Sequence, residues 1–191
     1  MASDDPVASI RDSVCARTAK ALRQGKSFNY LLQLMHQFDE EGERLDLSAK
    51  EIQSRAARVP GRPGENACRA GCAWCCHVQV AVSPLELLRI VAFLEHNLSA
   101  SDRESITESV LDLDARTRGL GWQEREESRL PCALLKDGRC IVYRVRPARC
   151  RAWSSADSET CRAAYERPEA GIEVAYHHLQ RAIYSAIQDG L

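Results

Sequence analysis

Nine cysteines in 191 residues constrain this sequence more than any other feature, because they are gathered and not scattered. Cys68, Cys72, Cys75 and Cys76 fall within nine residues. Cys132, Cys140, Cys150 and Cys161 follow after residues 77–131, which hold none. The opening Met1-Ala2-Ser3-Asp4-Asp5-Pro6 has no basic n-region and no apolar h-region, so a cytoplasmic location is expected. In a reducing compartment such thiols bind metal or do redox chemistry in preference to forming structural disulfides. Cys15 stands alone among helical residues and reads as an inert packing thiol.

The first group, Cys68-Arg-Ala-Gly-Cys72-Ala-Trp-Cys75-Cys76-His77, suits two geometries. A helix would put Cys68, Cys72 and Cys75 or Cys76 on one face. A loop would make Cys72-x-x-Cys75 a short chelate, with Gly71 allowing a tight turn. Thiolates in either arrangement call for a soft metal: zinc, copper(I) or iron in an iron–sulfur cluster. Adjacent Cys75 and Cys76 diverge, so one binds each of two metals or one stands behind the other. A redox-active vicinal pair is disfavoured by the strain of such a bridge. His77 points away from Cys76 in any regular conformation, which argues against a Cys–His nucleophile. His36, His96, His177 and His178 lie in helical segments, with His177-His178 the pair to check as ligands.

The second group carries Cys132, Cys140 and Cys150 in a basic stretch, with six basic residues and one acid between Lys136 and Arg151. Guanidinium groups beside a four-thiolate site compensate its negative charge. That reading is preferred to a nucleic-acid surface using Tyr143 and Trp153, since the whole chain balances 26 basic against 27 acidic residues. Trp74 and Tyr143 are expected to shield the site. The ligand set is therefore expected to be Cys68, Cys72, Cys75, Cys76, Cys132, Cys140 and Cys150, with Cys161 as the eighth. Eight cysteines make two four-cysteine sites, or one four-cysteine cluster with four others near it.

Around these groups the pattern is helical. Pro6 after an acidic cap predicts a helix to about Gln24, stopped by Gly25. Ser27 caps a second helix, with Phe28, Leu31, Leu32, Met35 and Phe38 as its core stripe. The charged residues 39–51 read as a solvated face. Pro60-Gly61-Arg62-Pro63-Gly64 marks a hinge, dividing an N-terminal helical segment, residues 1–60, from a cysteine core with a C-terminal helix, residues 61–191. The two are expected to form one globular unit. Val78–Val82 alternates like a short strand. Ser83-Pro84-Leu85-Glu86 opens a helix with Leu85, Leu88, Val91, Ala92 and Leu94 on one side. Ser99 opens another, through about Arg118, with Ile106, Val110 and Leu113 inward. A last helix is expected from Ile172 to about Gln188. The expected fold is mainly α: a single helical domain around an irregular cysteine-rich metal-binding core, with at most a short strand or hairpin. No apolar run approaches the roughly 18 residues that span a bilayer, so no membrane partner is expected.

These residues carry a family resemblance. Cys68, Cys72, Cys75, Cys76, Pro131, Cys132, Gly138, Cys140, Tyr143, Arg146, Pro147, Cys150 and Arg151 resemble the pattern of the YkgJ-type cysteine-cluster family, a zinc- or iron-chelating group also called CxxCxxCC. The resemblance covers about residues 66–152, and Trp153 to Cys161 looks like its continuation. It implies a metal-binding protein holding zinc or an iron–sulfur cluster. The family is similar to the cysteine-rich part of flagellin lysine methylases, which implies an enzyme of protein lysine methylase or redox type as an alternative. A zinc-stabilised interaction module for a protein partner or a nucleic acid is the third reading. The Cys68-x3-Cys72-x2-Cys75 spacing also matches radical S-adenosylmethionine enzymes. The chain lacks the repeated strand–helix units of their barrel, and it has no Gly-x-Gly-x-x-Gly loop.

Overall fold

The computed structural model describes residues 5–56 and 67–191. The expected hinge at Pro60–Gly64, and with it the segment boundary, lies outside the described residues. The chain is mainly α, as its patterning predicts.

Helix α1 spans Pro6–Arg23. Asp5 caps it by accepting a hydrogen bond from the Val7 N–H at 2.9 Å, and Pro6 fills the first helical position, where no donor is needed. Val14, Thr18 and Ala21 recur at helical spacing on its buried face. Helix α2 spans Phe28–Ala56, with the Ser27 hydroxyl accepting from the Tyr30 N–H. Leu31, Leu34, Met35 and Phe38 form its buried stripe, whereas Phe28, expected in the core, is 41% exposed at the open first turn. The charged half of α2 is not simply solvated. Asp39 and Asp46 are buried, and each has a cationic partner, which is what makes a buried carboxylate tolerable.

Residues 78–82 form no strand. Among the described residues the paired strands are β1, Leu135–Lys136, and β2, Arg139–Cys140, joined as an antiparallel hairpin. Asp137 and Gly138 at its tip both have positive φ, 50° and 70°, the twist a two-residue hairpin turn needs. Alternation needs a partner strand to complete a ladder, and among the described residues Val78–Val82 has none.

Helix α3, Pro84–Asn97, starts at the expected capping box between Ser83 and Glu86. Its inward face agrees with expectation at Ala92, which is buried, and differs elsewhere: Leu88 and Val91 are exposed, while Glu86 and Ile90 are buried. The helix is turned so that the Glu86 carboxylate also accepts from the Ala148 N–H at 2.7 Å. Helix α4, Ala100–Thr117, is capped by Ser99, but Val110 on its expected inner face is 46% exposed. Three short helices were not foreseen: α5, Trp122–Ser128; α6, Ala148–Ala152; and α7, Ser158–Glu166. Helix α8, His178–Gly190, begins later than the expected Ile172. The residues before it are taken up by the Ser155–Tyr176 bridge and by the His177 N–H, which donates to the Ser154 carbonyl at 3.0 Å.

The core lies where α8 packs on α1, α2 and α6, through Val14, Leu34, Phe38, Ala148, Ala152, Ile183, Tyr184 and Ile187. Each fully buried large apolar side chain there contributes about 1.5–3 kcal/mol. Helix α6 is thus seated firmly, and it carries Cys150. Among the described residues no helix is long and apolar enough to cross a membrane.

Candidate metal centre

The first cysteine group is a loop, not a helix. Gly71 has φ +96°, so the chain turns in a conformation that glycine adopts without strain, and Trp74–His77 follows as a 3-10 turn. The Cys72 N–H donates to the Arg69 carbonyl and the Cys76 N–H to that of Ala73, which holds this turn together. The second group comes to it through the backbone: the Cys132 N–H donates to the Cys76 carbonyl at 2.8 Å. The hairpin returns Cys140 to the neighbourhood of Cys132, because the Leu135 N–H donates to the Cys132 carbonyl and Leu135 pairs with Cys140. Cys150 arrives on α6 and Cys161 on α7, which packs against the 3-10 turn.

Ser155 ties the outermost pieces together. Its N–H donates to the Cys68 sulfur at 3.3 Å, its carbonyl accepts from the Ala67 N–H at 2.9 Å, and its side chain bonds Cys161. It is 1% exposed. Nothing in its residue type or spacing singled it out, because its role comes from the chain reversal after α6.

Burial dominates the thiols. It pushes up Cys68, opposed by the Ser155 N–H; Cys132; Cys140; Cys161, opposed by the Ser155 side chain; and Cys150, to about 12. Cys75 goes the other way, down to about 7, because the Cys76 thiol donates a hydrogen bond to it and Arg146 adds positive charge. Cys76 is raised as the donor of that bond and by its burial. The two thiols therefore titrate as a pair. Mutual charge links the rest: Cys161 is acted on by Cys68, Cys72 and Cys75, and Cys150 by Cys132, Cys75 and Cys140.

Arg146 is the basic residue that serves the cysteines, acting on Cys68, Cys75, Cys140 and Cys150. Its Nε is buried and has no hydrogen-bond partner among the described residues, a donor well placed for the negative charge of a metal–thiolate centre. Tyr143 holds that guanidinium from behind, its ring centre 4.2 Å away. The other basic residues do not all compensate thiolates as expected. Arg151 pairs with Asp39 and Glu43, and Arg149 bonds Ser185.

A cavity of about 190 Å³ lies against Cys68, Cys72, Cys75 and Cys161. Trp74, Trp153, Tyr165 and Tyr176 contribute to its wall. Trp74 and Tyr165 pack with ring centres 5.8 Å apart, and Trp153 meets Tyr176 edge-on at 4.9 Å. Trp74 thus stands where a shielding residue was expected, while Tyr143 acts through Arg146. His77 lines the same cavity, with Nδ1 3.3 Å from the Tyr165 hydroxyl and 3.2 Å from the Arg129 carbonyl. His177 and His178 sit at the start of α8 and do not line it. Cys15, expected to be packed, is exposed on α1.

Among the described residues no disulfide joins any of the eight clustered cysteines. Their soft donor chemistry fits zinc or iron, and the orphaned Arg146 Nε fits the charge such a centre carries. Among the described residues no three His, Cys, Asp or Glu side chains are gathered into a finished ligand shell.

No curated protein and no solved structure matches the chain. A family model described as "CxxCxxCC: Putative zinc- or iron-chelating domain" matches residues 67–171, just over half of the chain. The match runs past residue 152 and takes in Ser155, Cys161 and the cavity's Tyr165. With its cysteine-bearing loop, hairpin, α6 and α7 all inside that match, the chain belongs to the CxxCxxCC family of zinc- or iron-chelating domains.

Proposed function

We propose that this protein binds zinc or iron through the thiolates of Cys68, Cys72, Cys75, Cys76, Cys132, Cys140, Cys150 and Cys161, the iron being held as an iron–sulfur cluster. The observation that carries this reading is the 2.8 Å backbone bond from Cys132 to Cys76, which brings together two cysteine groups far apart in sequence. A metal in that position would cross-link the 3-10 turn, the hairpin, α6 and α7, and would supply folding energy as well as any Lewis-acid or electron-transfer chemistry. The chain's own residues orient the thiols through Ser155, place the charge of Arg146 beside them and wall the site with Trp74 and Trp153. Residues 1–60 and 61–191 work as one globular unit in this reading, supported by the packing of α1 and α2 on α8.

The test is anaerobic purification followed by elemental analysis and a visible spectrum on the same sample. Bound zinc or iron in at least one equivalent per chain is expected, colourless for zinc and coloured for an iron–sulfur cluster. Cys72→Ser should lose metal and Cys15→Ser should not. Full metal content in Cys72→Ser would overturn the ligand assignment. The aromatic cavity beside the thiols favours an enzyme as the second reading, because it gives a small molecule a place next to the centre.

A further inference from the structure

The eight clustered cysteines rest on two different supports. Cys68 and Cys72 lie on the segment that leads into the 3-10 turn, Cys75 lies within the turn, and Cys161 joins them from α7. All four line the aromatic cavity. Ser155 fastens this set at both ends, through its N–H to the Cys68 sulfur and its side chain to Cys161. The remaining four are held otherwise. Cys76 and Cys132 are joined by the 2.8 Å backbone bond, Cys140 is returned by the hairpin, and Cys150 rides on α6 against the main core. None of these four lines the cavity.

The seam runs between Cys75 and Cys76. Successive residues of a 3-10 turn point about 120° apart around its axis. Cys75 lines the cavity and Cys76 does not, and the Cys76 thiol donates its hydrogen bond to Cys75 across that seam. Arg146 stands at the same seam, since its charge reaches Cys68 and Cys75 on one side and Cys140 and Cys150 on the other. Four thiolates satisfy a structural zinc ion or an iron–sulfur cluster. Eight on two supports satisfy two such centres.

We propose that the chain holds two adjoining metal centres, one formed by Cys68, Cys72, Cys75 and Cys161 at the aromatic cavity, the other by Cys76, Cys132, Cys140 and Cys150 between the hairpin and α6. This rests on the reading that the cysteines chelate metal. The cavity centre is the one a small molecule reaches, and the hairpin centre braces the fold.

The full-length chain, stripped of metal and fully reduced, is titrated without oxygen with cobalt(II), whose visible absorption reports tetrahedral thiolate binding. The wild type is expected to saturate at two equivalents. Cys161→Ser and Cys140→Ser should each lose half of the absorption and keep the other half. A single equivalent in the wild type would overturn the two-centre division, as would either variant losing all binding while its helical circular dichroism persists. If a variant loses its helicity, the wild-type break point decides alone. No cobalt uptake by the wild type would overturn chelation itself, whereas one equivalent overturns only the division.

Discussion

At the scale of single residues, the Cys75–Cys76 pair carries the sharpest consequence. Cys75 is brought down to about 7 by the Cys76 thiol, while burial drives Cys150 up to about 12. In the reduced, metal-free chain, Cys75 is therefore expected to alkylate well before Cys150 near neutral pH, since the thiolate is the nucleophile. Cys76→Ala removes the donated hydrogen bond, so the midpoint of the Cys75 alkylation rate against pH should move upward. An unchanged midpoint would show that Cys76 does not hold the Cys75 thiolate. The sequence marked both cysteines, but adjacency suggested that their side chains diverge, whereas the Cys76 thiol bonds Cys75. It did not mark Ser155 or the part played by Tyr143. A serine gains importance only from the sulfur that the returning chain places beside it, and Tyr143 only from the guanidinium it supports.

At the scale of elements, the helix starts were legible because caps are local. Asp5 with Pro6, Ser83 with Glu86, and Ser99 with Asp102 all act as the sequence suggests. Helix faces were less so, since a face is chosen by distant partners. Glu86 is buried to satisfy the Ala148 N–H, and Asp39 to receive Arg89 at 2.6 Å and Arg151 at 3.1 Å. These side chains are about nine-tenths buried. Asp39→Ala takes from the buried Arg89 its carboxylate and leaves Arg151 only Glu43 as an anionic partner, and should destabilise the chain by about 3 kcal/mol in chemical denaturation. A loss within the error of the measurement would refute the clamp. Close helix crossings give a second contrast. A methyl group at Gly190 would meet the Arg11 carbonyl oxygen and the Val14 Cβ, both at 2.7 Å, whereas one at Gly42 would meet the tip of Ile187 at 2.9 Å and the Tyr184 ring. Backbone and Cβ atoms cannot turn aside as a side-chain tip can. Gly190→Ala should therefore cost about 2 kcal/mol, and more than Gly42→Ala. Equal midpoints for the two variants would contradict that packing.

At the scale of the whole molecule, a four-helix core of α1, α2, α6 and α8 supports a cysteine-rich lobe with little regular structure. The mainly helical class followed from periodicity, and the cysteine groups from their spacing. The short helices α5 to α7 escaped because so few turns leave no period to read, and the expected strand failed for want of a partner. Metal is expected to join this lobe to the core, so acid should act on both. Burial raises the ordinary thiol values of Cys68, Cys132, Cys140, Cys150 and Cys161, so metal uptake must displace protons, and affinity falls as pH falls. Lowering the pH from about 8 to about 6 should release metal and lower the melting temperature together; release without a change in melting would contradict the cross-linking role. The central claim, that eight thiols and not nine are committed to metal, is tested most directly by counting reactive cysteines with and without it. Full-length protein carrying its metal is alkylated without oxygen and mapped by mass spectrometry, then the same is done after a strong chelator. The account predicts that Cys15 alone reacts in the loaded protein and all nine react after stripping. Equal labelling of the other eight in both samples would contradict it.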